Sequence, residues 1–148
     1  MFAPKNILVP TDFSKYSDKA LKQAVEIAKQ FGSKIHLLHV IDERIQQCAV
    51  DYCLSAEVVK QLENESLRTT EETLRKEAKT LSKSHKVDTY FDIKTGVPSE
   101  MILKEQKSKK IDLIVMAPHG KTGLLKRLMG SVADSVIKSA KCEVLLVK

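Results

Sequence analysis

An α/β fold is what this sequence predicts: one domain with an open, parallel, five-stranded sheet and helices on both faces. Three observations carry the prediction. Short runs of branched apolar residues, at 6–10, 34–41 and 111–116, alternate with longer stretches of helical period. Each gap between such runs is long enough for a helix, so consecutive strands can pair in parallel through right-handed crossovers. The run at 111–116 then empties into a loop with glycines at 120, 123 and 130 before a new helix opens.

The elements follow in order. Residues 6–10 are an apolar run stopped by Pro10, and Thr11-Asp12-Phe13 turns the chain. Ser14 or Ser17 can cap a helix whose stripe is Ala20, Leu21, Ala24, Val25, Ala28 and Phe31, with Gly32 as its C-cap. Strand two spans 34–41, and residues 42–55 form an irregular excursion without periodicity. From 56 to 84 the pattern is helical, with Val58, Val59, Leu62, Leu67, Leu74, Ala78 and Leu81 toward the core. Residues 87–95 alternate as strand three. Gly96-Val97-Pro98-Ser99 is a turn and N-cap for a short helix carrying Met101 and Ile102 inward. Strand four covers 111–116. The helix capped by Ser131 has Val132, Val136, Ile137 and Ala140 at helical spacing, and 143–147 closes the sheet.

Composition narrows the function classes. The 148 residues, 43% hydrophobic and 30% charged, are the profile of a globular domain spanning 1–148. No apolar run approaches the roughly 20 residues of a membrane helix. The start of the chain enters a strand directly, without the features of a secretion signal, so a cytoplasmic location is expected. The net charge of +6 invites nucleic acid as a partner. However, Lys104, Lys107, Lys109 and Lys110 gather at one helix end, and with 5% aromatic residues and no Trp a base-stacking surface is poorly supplied. Nucleic-acid binding is therefore not expected. Cys48, Cys53 and Cys142 are odd in number and spaced unlike a metal or disulfide framework. His36 and His39, three apart on a strand, face opposite sides and cannot chelate one metal together.

The chemistry concentrates between 111 and 131. Strand, glycine loop and helix N-terminus make an anion site, because glycine admits close backbone approach and unpaired amides favour a phosphate. Lys121, Lys126 and Arg127 add positive charge to the same loop. Gly120-Lys121-Thr122 mimics the end of a P-loop, but the first glycine of that pattern would fall on Val115, so it is not one. If strands one and four are neighbours, Asp12 faces the same crevice. A carboxylate there suits sugar hydroxyls or an adenine amine better than phosphate, which points to a nucleotide. Asp12 as a helix cap, and 120–131 as a plain connection, are the competing structural readings. No arranged nucleophile and base is evident, and His119 lies near no acid in sequence.

These residues resemble the universal stress protein family over essentially the whole chain. Ile7-Leu8-Val9-Pro10-Thr11-Asp12-Phe13-Ser14 is similar to that family's first strand and loop. Leu38-His39-Val40-Ile41-Asp42 resembles the end of its second strand, and Gly96-Val97-Pro98 its turn after the third. Of the nucleotide-binding pattern G-x2-G-x9-G-[ST], Gly120 and Gly130-Ser131 match, while Ala117 replaces the first glycine.

The resemblance implies a Rossmann-like sheet in the order 3-2-1-4-5, similar to adenine nucleotide alpha hydrolases, and a homodimer. It implies ATP, or ADP or AMP, held without a P-loop and with Mg2+ or Mn2+. Asp12 would contact ribose or adenine, beside Thr11, and the backbone at Pro10 and Val40 would flank the base. The amides of Gly120, Gly130, Ser131 and Val132, with the Ser131 hydroxyl, would hold phosphates, and Gly130 is expected to need φ > 0. Ala117, His119, Lys121, Thr122 and Gly123 complete the expected nucleotide-binding set. The Ala117 methyl is expected to weaken affinity without abolishing it.

The function so implied is that of an ATP-binding module or switch in stress response, acting on a protein partner that the sequence does not name. Slow ATP hydrolysis or self-phosphorylation, and a nucleotide-free interaction protein, are the alternatives. The dimer is expected on strand five, whose Val144, Leu145, Leu146 and Val147 form an apolar edge with no proline or central charge.

Overall fold

The structure, a computed structural model, describes residues 1–44, 55–121 and 128–148. Its strands are β1 (Asn6–Pro10), β2 (Lys34–Asp42), β3 (Thr89–Gly96), β4 (Leu113–Met116) and β5 (Glu143–Leu146). Its long helices are α1 (Lys15–Phe31), α2 (Ala56–Ser84), α3 (Pro98–Ser108) and α4 (Ser131–Ser139). The strands form one sheet in the order β3-β2-β1-β4-β5, with every neighbouring pair parallel. The predicted fold and strand order are both observed.

Alternation along the strands divides the core into two layers. On one face Ile7, Val9, Ile35, Leu37 and Val115 pack against α1 through Ala20, Ala24 and Val25, and against α2 through Leu74 and Leu81. On the other, Leu8, Leu38 and Ile114 pack against Ile102 of α3 and Ala133 and Val136 of α4. The central strands β1 and β4 are therefore covered on both sides, which explains their unbroken apolar sequence.

Helix boundaries agree with expectation except at the caps. Ser14 caps α1 by accepting from the Ser17 amide, and Gly32 closes that helix in the left-handed region at φ 67°. Ser17 is not a cap. It is buried, and its hydroxyl donates to the Ser14 carbonyl. Ser99 is not a cap either: Val97 holds that position and Pro98 opens α3, where a missing N–H costs nothing. Gly130, not Ser131, is the N-cap of α4.

Three burial expectations are corrected. Phe31 lies at the end of α1 and is exposed. In α4, Ile137 is exposed and Ala133 takes the inward position. In α2, Val58, Leu62 and Leu67 are exposed at 42%, 53% and 42%, while Val59, Leu74, Ala78 and Leu81 are buried. At 1.5 Å per residue the 29 residues of α2 extend about 43 Å. Leu74 to Leu81 lie on the sheet, and the leading half of the helix runs past it.

Candidate functional site

The pairing of β1 with β4 puts the ends of both strands side by side, at the point where strand order reverses. A cavity of about 630 Å³ opens there, a size that suits a nucleotide-scale ligand. One side is the turn after β1, with Pro10, Thr11 and Asp12 on its wall. Opposite lie Ala117, His119, Gly120 and Lys121 from the segment after β4, then Gly130, Ser131 and Val132 at the start of α4. Val40, near the end of β2, closes a third side. Of the residues picked out in the sequence, Thr122 and Gly123 lie outside the described residues, as do Lys126, Arg127, Cys48 and Cys53.

The turn after β1 is held both to β2 and within itself. The Thr11 amide donates to the Leu38 carbonyl at 2.8 Å, tying the turn to β2. His39 donates its Nδ1 proton to the Thr11 carbonyl at 2.8 Å. Phe13 adopts φ 62°, rare for a bulky residue. Its amide donates to Thr11 Oγ1 at 3.1 Å, and its ring packs 4.8 Å from that of His39.

Asp12 joins the two sides. Its Oδ1 accepts the Ser14 amide at 3.0 Å, and its Oδ2 accepts the Lys121 amide at 2.9 Å. Burial alone would raise its carboxyl pKa, but hydrogen bonding from Ser14, Ser17 and Lys121 outweighs this and holds it below the ordinary value of 3.8. The carboxylate therefore stays charged at neutral pH. Each oxygen keeps a lone pair for a further donor.

Two glycines are explained by space. A Cβ on Gly120 would come within 3.1 Å of Asp12 Oδ2. One on Gly130 would meet the Pro118 carbonyl oxygen at 3.2 Å. Gly130 sits at φ −65°, so the expected left-handed conformation is not what requires glycine there. Its amide is also committed, donating to Pro118 O at 2.7 Å. The donors free to meet an anion are those of Ser131, Val132 and Ala133. They open α4, and no side-chain cap accepts from them among the described residues. Asp134, the acid of that first turn, is drawn into an ion pair with Lys138 at 2.7 Å. His119 packs edge-on against Tyr16 with 6.2 Å between ring centroids.

Several cavity residues lie outside the set expected from the sequence, among them Ala133 and, on the leading half of α2, Val59, Leu62, Glu63 and Ser66. Of these, only Val59 and Leu62 belong to the helical stripe expected to face the core. At the far end of β2, Asp42 is held by Arg44 in a two-pronged pair of 2.9 and 2.6 Å. That hydrogen bonding keeps the Asp42 carboxyl below its ordinary pKa. His36 and His39 do lie on opposite faces, His36 stacking on Tyr90.

Residues 4–148 match the sequence model of the universal stress protein family. Universal stress protein MJ0531 of Methanocaldococcus jannaschii is 38% identical over 144 residues, which cover 97% of this chain and 82% of the relative. The solved structure of MJ0577, from the same organism, superposes with a TM-score of 0.84 at 33% identity, covering 99% of this chain and 97% of its own. A universal stress protein solved in complex with cAMP has a TM-score of 0.66 at 24% identity, covering 99% of this chain and 98% of its own, a likeness of fold. The chain belongs to the universal stress protein family.

Proposed function

We propose that this protein binds an adenine nucleotide, ATP or its ADP or AMP forms, in the cavity between the β1 turn and the start of α4. It then acts as a nucleotide-dependent binding module in the cytoplasmic stress response, engaging a protein partner as a homodimer paired through β5. The observation that carries the reading is the open N-terminus of α4. Amides at Ser131, Val132 and Ala133 have no partner in the helix, and their residues line the cavity beside Gly120 and Lys121. Backbone donors at a helix start, reinforced by its dipole, are what a polyphosphate needs. Asp12 faces them across the cavity as a charged acceptor, a role that suits ribose hydroxyls. Pro10 and Val40 supply apolar surface for the base. The complex of a related fold with cAMP is in keeping with a ligand of this class.

A divalent ion is compatible with the donors present. Among the described residues no group of three His, Cys, Asp or Glu could hold an ion alone. Mg2+ or Mn2+ would therefore sit on phosphate oxygens and water, with the exposed Ser131 hydroxyl within reach of the same turn. Its contribution would be charge neutralisation on the phosphates.

Isothermal titration calorimetry of ATP against the purified protein tests the reading. Saturable one-site binding that is lost in Gly130→Val supports it. Failure of the unaltered protein to bind any adenine nucleotide overturns it in favour of a nucleotide-free interaction protein.

A further inference from the structure

The leading half of α2 has no place in the nucleotide-binding pattern, yet it forms a wall of the cavity. Between Val59 and Leu74 every residue is exposed or only partly covered, including Leu62 and Leu67. A helix segment that buries so little against its own fold gains little stability from packing. Val59, Leu62, Glu63 and Ser66 nevertheless line the cavity. Spacings of three and four put these residues on one helical face.

The sheet order says which end of a ligand would meet this wall. The α4 amides lie on the β4 side of β1, whereas α2 packs over β3, at the opposite edge of the sheet. From β4 to β3 is three strand spacings, or about 14 Å. A nucleotide with its phosphates at α4 therefore extends its base toward β2 and α2. There Leu62, half exposed, offers an apolar surface to a flat ring opposite Pro10 and Val40. Two carboxylates line that end, Asp42 and Glu63. Asp42 is already engaged by Arg44. Glu63 has no ion pair among the described residues, so its oxygens remain open to an N–H donor.

We infer that the leading half of α2 reads the nucleobase, with Leu62 covering the ring face and Glu63 accepting from an exocyclic amine. Adenine presents that amine, whereas hypoxanthine presents an acceptor at the same position and would face Glu63 oxygen to oxygen. The inference rests on the nucleotide reading above and assigns specificity to residues outside the glycine loop.

The test is calorimetry with ATP, ITP and inorganic tripolyphosphate on the unaltered protein, Leu62→Ser and Glu63→Ala. Both substitutions lie on an exposed helix surface and leave the core untouched. The unaltered protein should bind ATP about tenfold or more tightly than ITP, the margin one well-placed hydrogen bond provides. Glu63→Ala should bring that ratio near one. Leu62→Ser should weaken ATP and ITP together several-fold, and neither variant should alter tripolyphosphate binding. If ATP binds and the ATP to ITP ratio is unchanged in Glu63→Ala, the inference is overturned while the nucleotide site stands. If tripolyphosphate binds but ATP binds no better, both the base-reading wall and the nucleotide reading fail.

Discussion

Asp12 and Lys121 stand 109 positions apart in the chain, and the carboxylate of the first accepts the backbone amide of the second at 2.9 Å. One side chain thus joins the two loops that bound the cavity, because its other oxygen caps the Ser14 amide of its own turn. Asp12 is at once a local turn residue and the tie between sequence-distant segments.

Replacing it should therefore be felt in stability. Asp12→Ala leaves two backbone donors without their acceptor and is expected to destabilise the fold by about 1–3 kcal/mol in urea unfolding. The pH dependence follows from the direction of the shift. A carboxyl held below 3.8 in the folded state contributes stability fully above that value and loses it as pH falls through the folded-state pKa. Acid unfolding of Asp12→Asn should lack that portion of the transition. An acid limb identical to that of the unaltered protein would mean that the two hydrogen bonds are not energetically significant.

At Gly130 added volume meets backbone, which cannot swing away as a side chain can. A valine there drives a branched side chain into the Pro118 carbonyl, already 3.2 Å from where a Cβ would stand, and displaces the start of α4. ATP affinity in Gly130→Val should fall at least about tenfold, equivalent to about 1.4 kcal/mol. Circular dichroism should show the helix content retained, and undiminished ATP binding would separate this loop from the ligand.

Ala117 is buried at the end of β4 and lines the cavity where the family pattern has glycine. Removing its methyl in Ala117→Gly should tighten ATP while costing the unliganded protein roughly 0.5–1 kcal/mol of backbone entropy. Calorimetry and thermal unfolding on the same variant report the two effects separately. Unchanged or weaker ATP binding would mean that the cavity has its own geometry around Ala117.

How much of this was legible before the structure depends on what fixes each feature. Buried strands were clear, since β1 and β4 are covered on both faces and can hold only apolar residues. Asp12 and Gly130 stand out in the sequence by their pattern, and both line the cavity. The hydrogen bonds they make were not, because Lys121 and Pro118 are brought to them by the tertiary fold alone. In α2, Leu67 stands one heptad before Leu74 and two before Leu81, on their face, yet it is exposed, whereas Val58 and Leu62 lie about 160° and about 120° round the helix from Leu74. Periodicity reports a common face, and says nothing of whether that face meets a sheet, a cavity or water. Ser99 and Ser131 were mistaken for caps because the caps used, Val97 and Gly130, act through backbone conformation without a side-chain bond.

The homodimer proposed on β5 calls for a different variant from a charge substitution. Leu145 and Val147 pack against one core layer, and Val144 and Leu146 against the other, so a lysine at any of them would damage the monomer. The Val147 amide donates to Met116 O, so alternation turns the Leu146 amide to the open edge. Leu146→Pro removes an outward donor, keeps the hydrogen bonds to β4 and, unlike lysine, leaves an apolar ring against the core layer that Leu146 touches. Light scattering should then report a monomer with the fold intact by circular dichroism. A persistent dimer would place the interface elsewhere.

The central claim, that an adenine nucleotide sits with its phosphates on the start of α4, is tested most directly by amide NMR during titration with ATP. The account predicts that the largest shifts fall on the amides of Ser131, Val132 and Ala133, with smaller ones at Gly120, Lys121 and Val40. Shifts confined to other surfaces, or none at saturating ATP, would contradict it.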